Sequence, residues 1–553
     1  MSNVAEAGVH ERRNMFRERL DSFTSPSGLF VAAVLIIMAL PVTRTIQDPD
    51  FWWHLRAGQL IIQHGGLLGN DPFTYTAASH HWTMHEWLNE VLFALEYSIA
   101  GLGLIVLTLS AITWFGLVCV MQKARLRRPG RGVLGFGMLV AVIAGFPIWG
   151  PRVQMITFAF AALTLLLVER HVMRGGKAIW WLVPLFLFWS NLHGEFVIGL
   201  AFMAVILIAE VIGGVLHMPD QAPRERLRPI LYVLIACALV SMINLNGPGI
   251  LLYAFGTQAS NAQQSLIEEW FSPSFHDWEV LVYGAMLLIL VMLVVANRHL
   301  RARDAALVLV TTMLSLQSAR HIALFVAVAT PMFIDQLAMA MPRIRAGVRR
   351  LRRAPANATH RARTQPPLLF RATASAIVLA GLGAISLAWL VPKMQVQAYS
   401  LTYAREFPVC AAQWLKGAPE PLKIFNQYGE GGYLAYELSS RGDKVYIFGD
   451  AALMGDPLLL TYAKVETAEP PWDSIIRDAG TDIVLYDVNT PLADVMEHTA
   501  GWTKVYQDAL SIAFVPTTKL ASLHLPPQPT SYPANSVCGQ LAKEPARASA
   551  VTP

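Results

Sequence analysis

What most limits this chain is a series of long apolar blocks, among them Leu29 to Val42, Leu102 to Met121 and Phe196 to Val215. About 20 apolar residues written as a helix cover roughly 30 Å of hydrocarbon, and such a helix satisfies its own backbone N–H and C=O groups where no water can. Composition agrees: of 553 residues 54% are hydrophobic and 15% charged, against about 25% charged in soluble domains, and the mean hydropathy is +0.43. An ordinary soluble enzyme is excluded, and the chain reads as a polytopic α-helical membrane protein.

Taking each block as a helix predicts about 11 spans, near 28–44, 101–121, 133–149, 154–169, 178–191, 195–216, 229–245, 278–297, 304–318, 322–340 and 369–391. Residues 1–27 form a cytoplasmic N-terminal segment in which Arg12, Arg13, Arg17 and Arg19 precede the first block, and no small-residue cleavage site follows it, so no removable signal peptide is read. The basic residues then fall in alternate connections: Lys123 to Arg131, Arg170 to Lys177, Arg224 to Arg228, Arg298 to Arg303 and Arg343 to Arg363. Clusters between spans orient a membrane protein rather than bind nucleic acid, and the positive-inside rule puts the N-terminus inside and the C-terminus outside. Arginine-rich loops without a eukaryotic targeting signal fit a bacterial inner membrane.

The outer connections differ in kind. The first, 45–100, is rich in Trp, His and acids and holds two short apolar stretches, Leu55 to Ile62 and Trp87 to Ile99, suited to helices lying in the interface. A second long one runs from Asn244 to Trp278. After the transmembrane region, 28–391, the β-like runs Leu422 to Phe425, Lys444 to Phe448 and Asp482 to Tyr486 alternate with helical stretches, predicting an extracytoplasmic α/β domain over 395–525 and a flexible tail over 526–553. Cys410 and Cys538 would share an oxidising compartment there and could pair. Asn357-Ala-Thr359 matches a glycosylation acceptor pattern but falls inside.

Ionisable residues beside hydrocarbon are costly unless paired or wet, and here they gather at the outer connections: Asp48, Asp50, His54, His85, Glu86, Arg152, Gln154, His193, Glu195, Glu268, Glu269, Arg320 and His321. Helix capping or headgroup binding explains any one of them; the set suggests a site. Trp52 and Trp53 read first as interface anchors, and Gly429 to Gly432 as a turn into the helix of Tyr433. Two nearby carboxylates with His54 could also bind a divalent cation such as Mg or Mn through oxygen ligands.

Gln47-Asp-Pro-Asp-Phe-Trp-Trp-His54, Asn70-Asp-Pro-Phe-Thr-Tyr-Thr76 and Trp82-Thr-Met-His-Glu-Trp-Leu88 carry a resemblance. An acid just outside the first span, an aromatic interfacial helix, a Pro-containing loop and a second interfacial helix resemble the GT-C superfamily of polytopic glycosyltransferases, within it a bacterial branch with Asp-Pro-Asp-x-Trp-Trp-His and His-Glu-Trp-Leu segments. The likeness extends to Arg152 with Gln154, Asn191-Leu-His193-Gly194, Glu269-Trp270 and Gln427 to Tyr433. It implies a membrane enzyme moving a hexosyl or pentosyl group from a polyprenyl-phosphate donor to a glycan, lipid or protein acceptor of the cell envelope. Asp50 would be the base, with Asp48 as its substitute. Arg152, Arg320 and His321 would face the donor phosphate, because guanidinium forks match phosphate oxygens. His54, His85, Glu86, Gln154, His193, Glu195, Glu268 and Glu269 would bind substrate or acceptor. A transporter or flippase of lipid-linked glycans is the competing class; it would place polar residues at the bilayer midplane, often in two repeats, and no repeat is evident. A GT-C-like scaffold without activity is the third reading.

Overall fold

The computed structural model describes residues 20, 21, 23–351, 366–393 and 401–543. The first arginines, residues 352–363 with the glycosylation pattern, and the tail beyond 543 lie outside them. Every expected span falls on a helix. Among the described residues six helices are long and apolar enough to cross a membrane by length and composition, Trp87–Arg125, Gln154–Arg174, Gly194–Val215, Trp278–Asn297, Ala319–Arg350 and Leu368–Lys393, and three apolar ones are shorter.

We label α1 Pro26–Ile37, α2 Phe51–His64, α3 Trp87–Arg125, α4 Arg131–Ala144, α5 Gln154–Arg174, α6 Leu182–Leu192, α7 Val197–Val215, α8 Arg224–Ser241, α9 Trp278–Asn297, α10 Ala302–Gln317, α11 Ile322–Leu351 and α12 Leu368–Lys393. Ser25 starts α1 by accepting the Gly28 N–H at 3.1 Å, with Pro26 at the first helical position. The second interfacial stretch and the second span are continuous in α3, but bent at Ala100 and Gly101, where Gly101 has φ +65°. Glycine reaches that region without strain, so the chain turns from the interface into the membrane there. Opposite the outer connections, Arg303 bonds Glu169 at 3.0 Å and Glu210 at 2.6 Å, and Arg301 bonds Asp220, Asp304 and Asp335. These cations, read from sequence only as markers of orientation, hold helices together.

The C-terminal residues build a five-stranded sheet ordered β2-β1-β3-β5-β4, with β1 Lys423–Asn426, β2 Lys444–Val445, β3 Ile483–Asp487, β4 Trp502–Gln507 and β5 Ser511–Pro516. β1 runs parallel to β2 and β3, and β5 antiparallel to β3 and β4. The first outer connection extends this sheet. Asp71 gathers the N–H groups of Phe73 and Thr74, and Thr74 then pairs in parallel with Val445, Tyr75 donating to the Val445 carbonyl at 3.2 Å and Val445 to that of Phe73 at 3.0 Å. An edge strand is a template for such pairing. One apolar core joins the two regions, running from Trp52, Trp53, Phe73 and Trp82 into Phe425, Tyr433 and Phe448. Trp52 and Trp53 are therefore buried, 5% and 3% exposed, and are not interface anchors. Cys410 and Cys538 form a disulfide, with Cα atoms 5.7 Å apart, and a short helix, Val537–Leu541, carries the second of them.

Candidate active site

Asp48 and Asp50 stand where the chain leaves the first span and enters α2. The Asp50 N–H donates to Asp48 Oδ1 at 3.0 Å and Trp53 Nε1 donates to Asp50 Oδ1 at 3.1 Å, fixing both carboxylates. The turn after β2 closes over them: a Cβ on Gly449 would stand 1.5 Å from Asp50 Oδ1, so no other residue fits. Tyr428 donates to the Gly449 carbonyl at 3.1 Å, and Trp82 to Asp450 at 2.7 Å. Burial pushes the Asp48 carboxyl up to about 6, opposed by Arg152 and assisted by Glu269. Burial, then Asp48 and Glu269, hold that of Asp50 well above the usual carboxylate range.

Arg152, on the turn before α5, bonds Glu269 at 2.7 Å. Arg320, on the turn before α11, bonds Glu195 at 2.7 Å and lies 4.9 Å from the Trp270 ring centre. Ser318 donates to the Glu269 carbonyl at 2.8 Å, so the connection carrying Glu269 and Trp270 is seated on both arginines. Behind them, Glu86 faces three imidazoles: His85 at 3.1 Å, His193 at 3.3 Å and His54 at 3.5 Å. Burial opposes the Glu86 charge, but His193, His85 and His54 outweigh it and its carboxyl stays below the usual range. His54 also faces Glu90 at 3.3 Å, and burial lowers its imidazole to about 4. His193 meets Thr157 at 2.7 Å and lies 3.8 Å from Glu195, which joins this cluster to Arg320.

The structure thus brings together Asp48, Asp50, Arg152 and Glu269, and beside them Glu86, His54, His85, His193, Glu195 and Arg320. Gln154 Oε1 and His321 Nδ1 are buried without a hydrogen-bond partner, His321 with its ring 6.4 Å from that of Trp270. The Glu268 side chain lies outside the described residues. The expected metal set does not converge, because both ring nitrogens of His54 face Glu86 and Glu90 rather than the aspartates. Among the described residues no group of three or more His, Cys, Asp or Glu is arranged to hold a metal ion. Sequence reasoning missed Glu90, Tyr428, Gly449 and Asp450; the one local signal was a Gly-Asp pair closing a strand-like run.

No protein-family model matches the chain, and no curated protein matches it in sequence. Among solved structures it is similar to the archaeal oligosaccharyltransferase AglB from Archaeoglobus fulgidus, in complex with an inhibitory peptide and a dolichol-phosphate, at 11% identity over 90% of this chain and 75% of that one, with TM-score 0.53. It is also similar to ArnT from Cupriavidus metallidurans bound to undecaprenyl phosphate, at 16% identity over 90% and 99% of the two chains, with TM-score 0.47. At 11% identity the likeness to AglB is one of fold alone.

Proposed function

We propose that this chain is a membrane glycosyltransferase that moves a sugar from a polyprenyl phosphate to a glycan, lipid or protein acceptor of the cell envelope. The observation that carries it is the meeting of Asp48 and Asp50 with Arg152, from separate connections, at one mouth of a GT-C fold. The dolichol-phosphate held by AglB supports a lipid-phosphate donor.

In this reading the acceptor oxygen bonds to the anomeric carbon as the bond from that carbon to the phosphate oxygen breaks. Asp50 takes the acceptor proton, its raised pKa making it a stronger base than an ordinary carboxylate. The departing lipid phosphate keeps the electron pair, and Arg152 and Arg320 neutralise it. Glu269 occupies Arg152 in the resting site, and its side chain is 31% exposed, so an entering phosphate competes with it there. The disulfide supports an extracytoplasmic C-terminal region, with the N-terminus in the cytoplasm of a bacterial inner membrane.

The test is turnover in lipid nanodiscs with a panel of hexosyl and pentosyl polyprenyl phosphates and envelope acceptors. Asp50→Asn should lower turnover by about 10²-fold or more while donor binding persists. A scaffold would show no turnover in the wild type and an unchanged phenotype in the variant; a flippase would move labelled lipid across the bilayer in both. Either result rejects the proposal.

A further inference from the structure

At the end of the bundle that carries Asp48 and Asp50, two cations hold on to backbone carbonyls and aromatic rings instead of acids. Arg44, where the chain leaves the first span, donates to the Phe146 carbonyl at 2.9 Å and lies 4.2 Å from the Phe146 ring centre. Lys393, at the end of α12, donates at 2.8 Å to the carbonyl of Thr43, the residue before Arg44, and its Nζ is 3.7 Å from the Trp389 ring centre. One peptide unit thus joins the two side chains. Among the described residues neither cation is ion-paired with a carboxylate; Glu279 acts on Arg44 only through its field, and the sequence from 394 to 400 holds no acid. The Trp278 ring, 5.7 Å from that of Phe146, and Trp389 are both exposed, which marks this level as the headgroup interface. A guanidinium has five N–H donors and an ammonium three, so each keeps donors for an anion, and the anion that a membrane interface supplies is a lipid phosphate.

These cations reach the site through space. Lys393 lies within electrostatic range of Arg44, Arg44 of Arg152, and Arg152 of Asp48, so positive charge runs from α12 to the aspartates. Along that run Arg152 is neutralised by Glu269 at 2.7 Å, whereas Arg44 and Lys393 are not neutralised. A phosphate that yields Arg152 back to Glu269 therefore meets them next. Its charge decides which lipid they suit. The phosphate of a sugar donor is a diester with one negative charge; the carrier left after transfer is a monoester, with a second ionisation near pH 6 and so close to two charges at neutral pH. Two unpaired cations with free N–H donors match the monoester better. The carrier's chain also has a way out, because α12 packs chiefly on α1 and Ala39–Val42 and shows Ile377, Ile385 and Leu387 to lipid. We propose that Arg44 and Lys393 form an exit site that binds the phosphate monoester of the polyprenyl carrier between Arg152 and the bilayer, an assignment that rests on the glycosyl-transfer reading above.

The experiment is saturation binding of radiolabelled undecaprenyl phosphate to the full chain in phosphatidylcholine nanodiscs. The double variant Arg44→Gln with Lys393→Gln should bind it about tenfold more weakly, equivalent to about 1.4 kcal/mol, while Arg44→Lys with Lys393→Arg, which keeps both charges, should bind it like the wild type. A glycosyl undecaprenyl phosphate, the diester, should lose less affinity in the neutral variant than the monoester does. Unchanged monoester binding in that variant overturns the proposal, and so does an equal loss for the diester, which would make the pair a general lipid-phosphate contact. Competition on the wild type decides the question even where the variant fails to fold: phosphatidylglycerol, a diester, should displace the label poorly, and displacement as strong as by unlabelled undecaprenyl phosphate overturns the proposal by assigning the cations to bulk anionic lipid. Binding needs no chemistry, so the two readings fail separately. A wild type that binds the monoester through these residues but turns over no donor retains the site and rejects glycosyl transfer; turnover with unchanged monoester binding in the neutral variant rejects the site alone.

Discussion

Asp50 is a carboxyl among carboxyls, and its usefulness as a base depends on which neighbouring charges remain. Burial raises it first, with Asp48 and Glu269 adding to the rise, and Asp48 itself is pushed up to about 6. A group with a raised pKa is ionised only above that pKa, so kcat/KM should climb with pH along an acid limb well above the ordinary carboxylate value of about 3.9. Glu269→Gln removes a charge that raises both acids and should move the limb down; Arg152→Gln removes the charge that lowers Asp48 and should move it up. A pH profile of both variants checks this, and shifts in the same direction would end the assignment of the pair as base. Gly449→Ala is the sharper probe of geometry, because its Cβ would collide with Asp50 Oδ1; kcat should drop about 10²-fold, with thermal unfolding showing that the protein still folds. The aspartates and arginines were legible in the sequence because charge beside apolar spans is conspicuous. Gly449, Asp450 and Tyr428 were not, because their role exists only once a sheet domain 400 residues away folds back over Asp50.

At the scale of elements, apolar block length placed a helix at each expected span, because hydrocarbon leaves the backbone few other solutions, but among the described residues only six of these helices are long and apolar enough to cross a membrane, against the 11 expected. It did not predict which helices pair. Arg303 on α10 sits 3% exposed and bridges Glu169 on α5 to Glu210 on α7, while also reaching the Asp220 carbonyl at 2.9 Å. From sequence, Arg303 was one more cation in an inner loop; only the assembled bundle brings acids from two other helices to it. Arg303→Met keeps the bulk but leaves Glu210 without its ion pair and Glu169 with Arg127 alone. Breaking a buried pair by removing one partner costs about 3–5 kcal/mol. Thermal unfolding in detergent should therefore shift markedly downward, while turnover per folded molecule at low temperature stays near wild type, since the network lies away from Asp50. The sheet gave a similar lesson: β1, β2 and β3 were visible as apolar runs, whereas β4 and β5 were not anticipated, and in β4 only Trp502 and Tyr506 are buried, too few for an apolar run or a clean alternation.

Across the whole molecule, the site is made by docking: a membrane loop completes a sheet, and that sheet supplies the turn that covers Asp50. This arrangement requires the sheet domain and the connection 45–100 to share one side of the membrane, and the disulfide between Cys410 and Cys538 requires that side to be oxidising. The contacts of Trp82 with Asp450 and of His80 with the Leu453 carbonyl tie the two regions to one side, and the charge pattern of the loops leads us to propose that this side is the outer one. It can be tested with thiol chemistry, because Cys119 and Cys237 are buried and the other two cysteines are bonded, leaving a low background. Ser522→Cys places an exposed thiol on the sheet domain, and Lys177→Cys places one on the turn between α5 and α6. With a membrane-impermeant maleimide, the thiol at 522 should react in intact spheroplasts and the one at 177 only after the membrane is opened. The reverse pattern would put Asp50 in the cytosol, where sugar nucleotides are available and a lipid-phosphate donor is not needed, and the proposed reaction would fall with the topology.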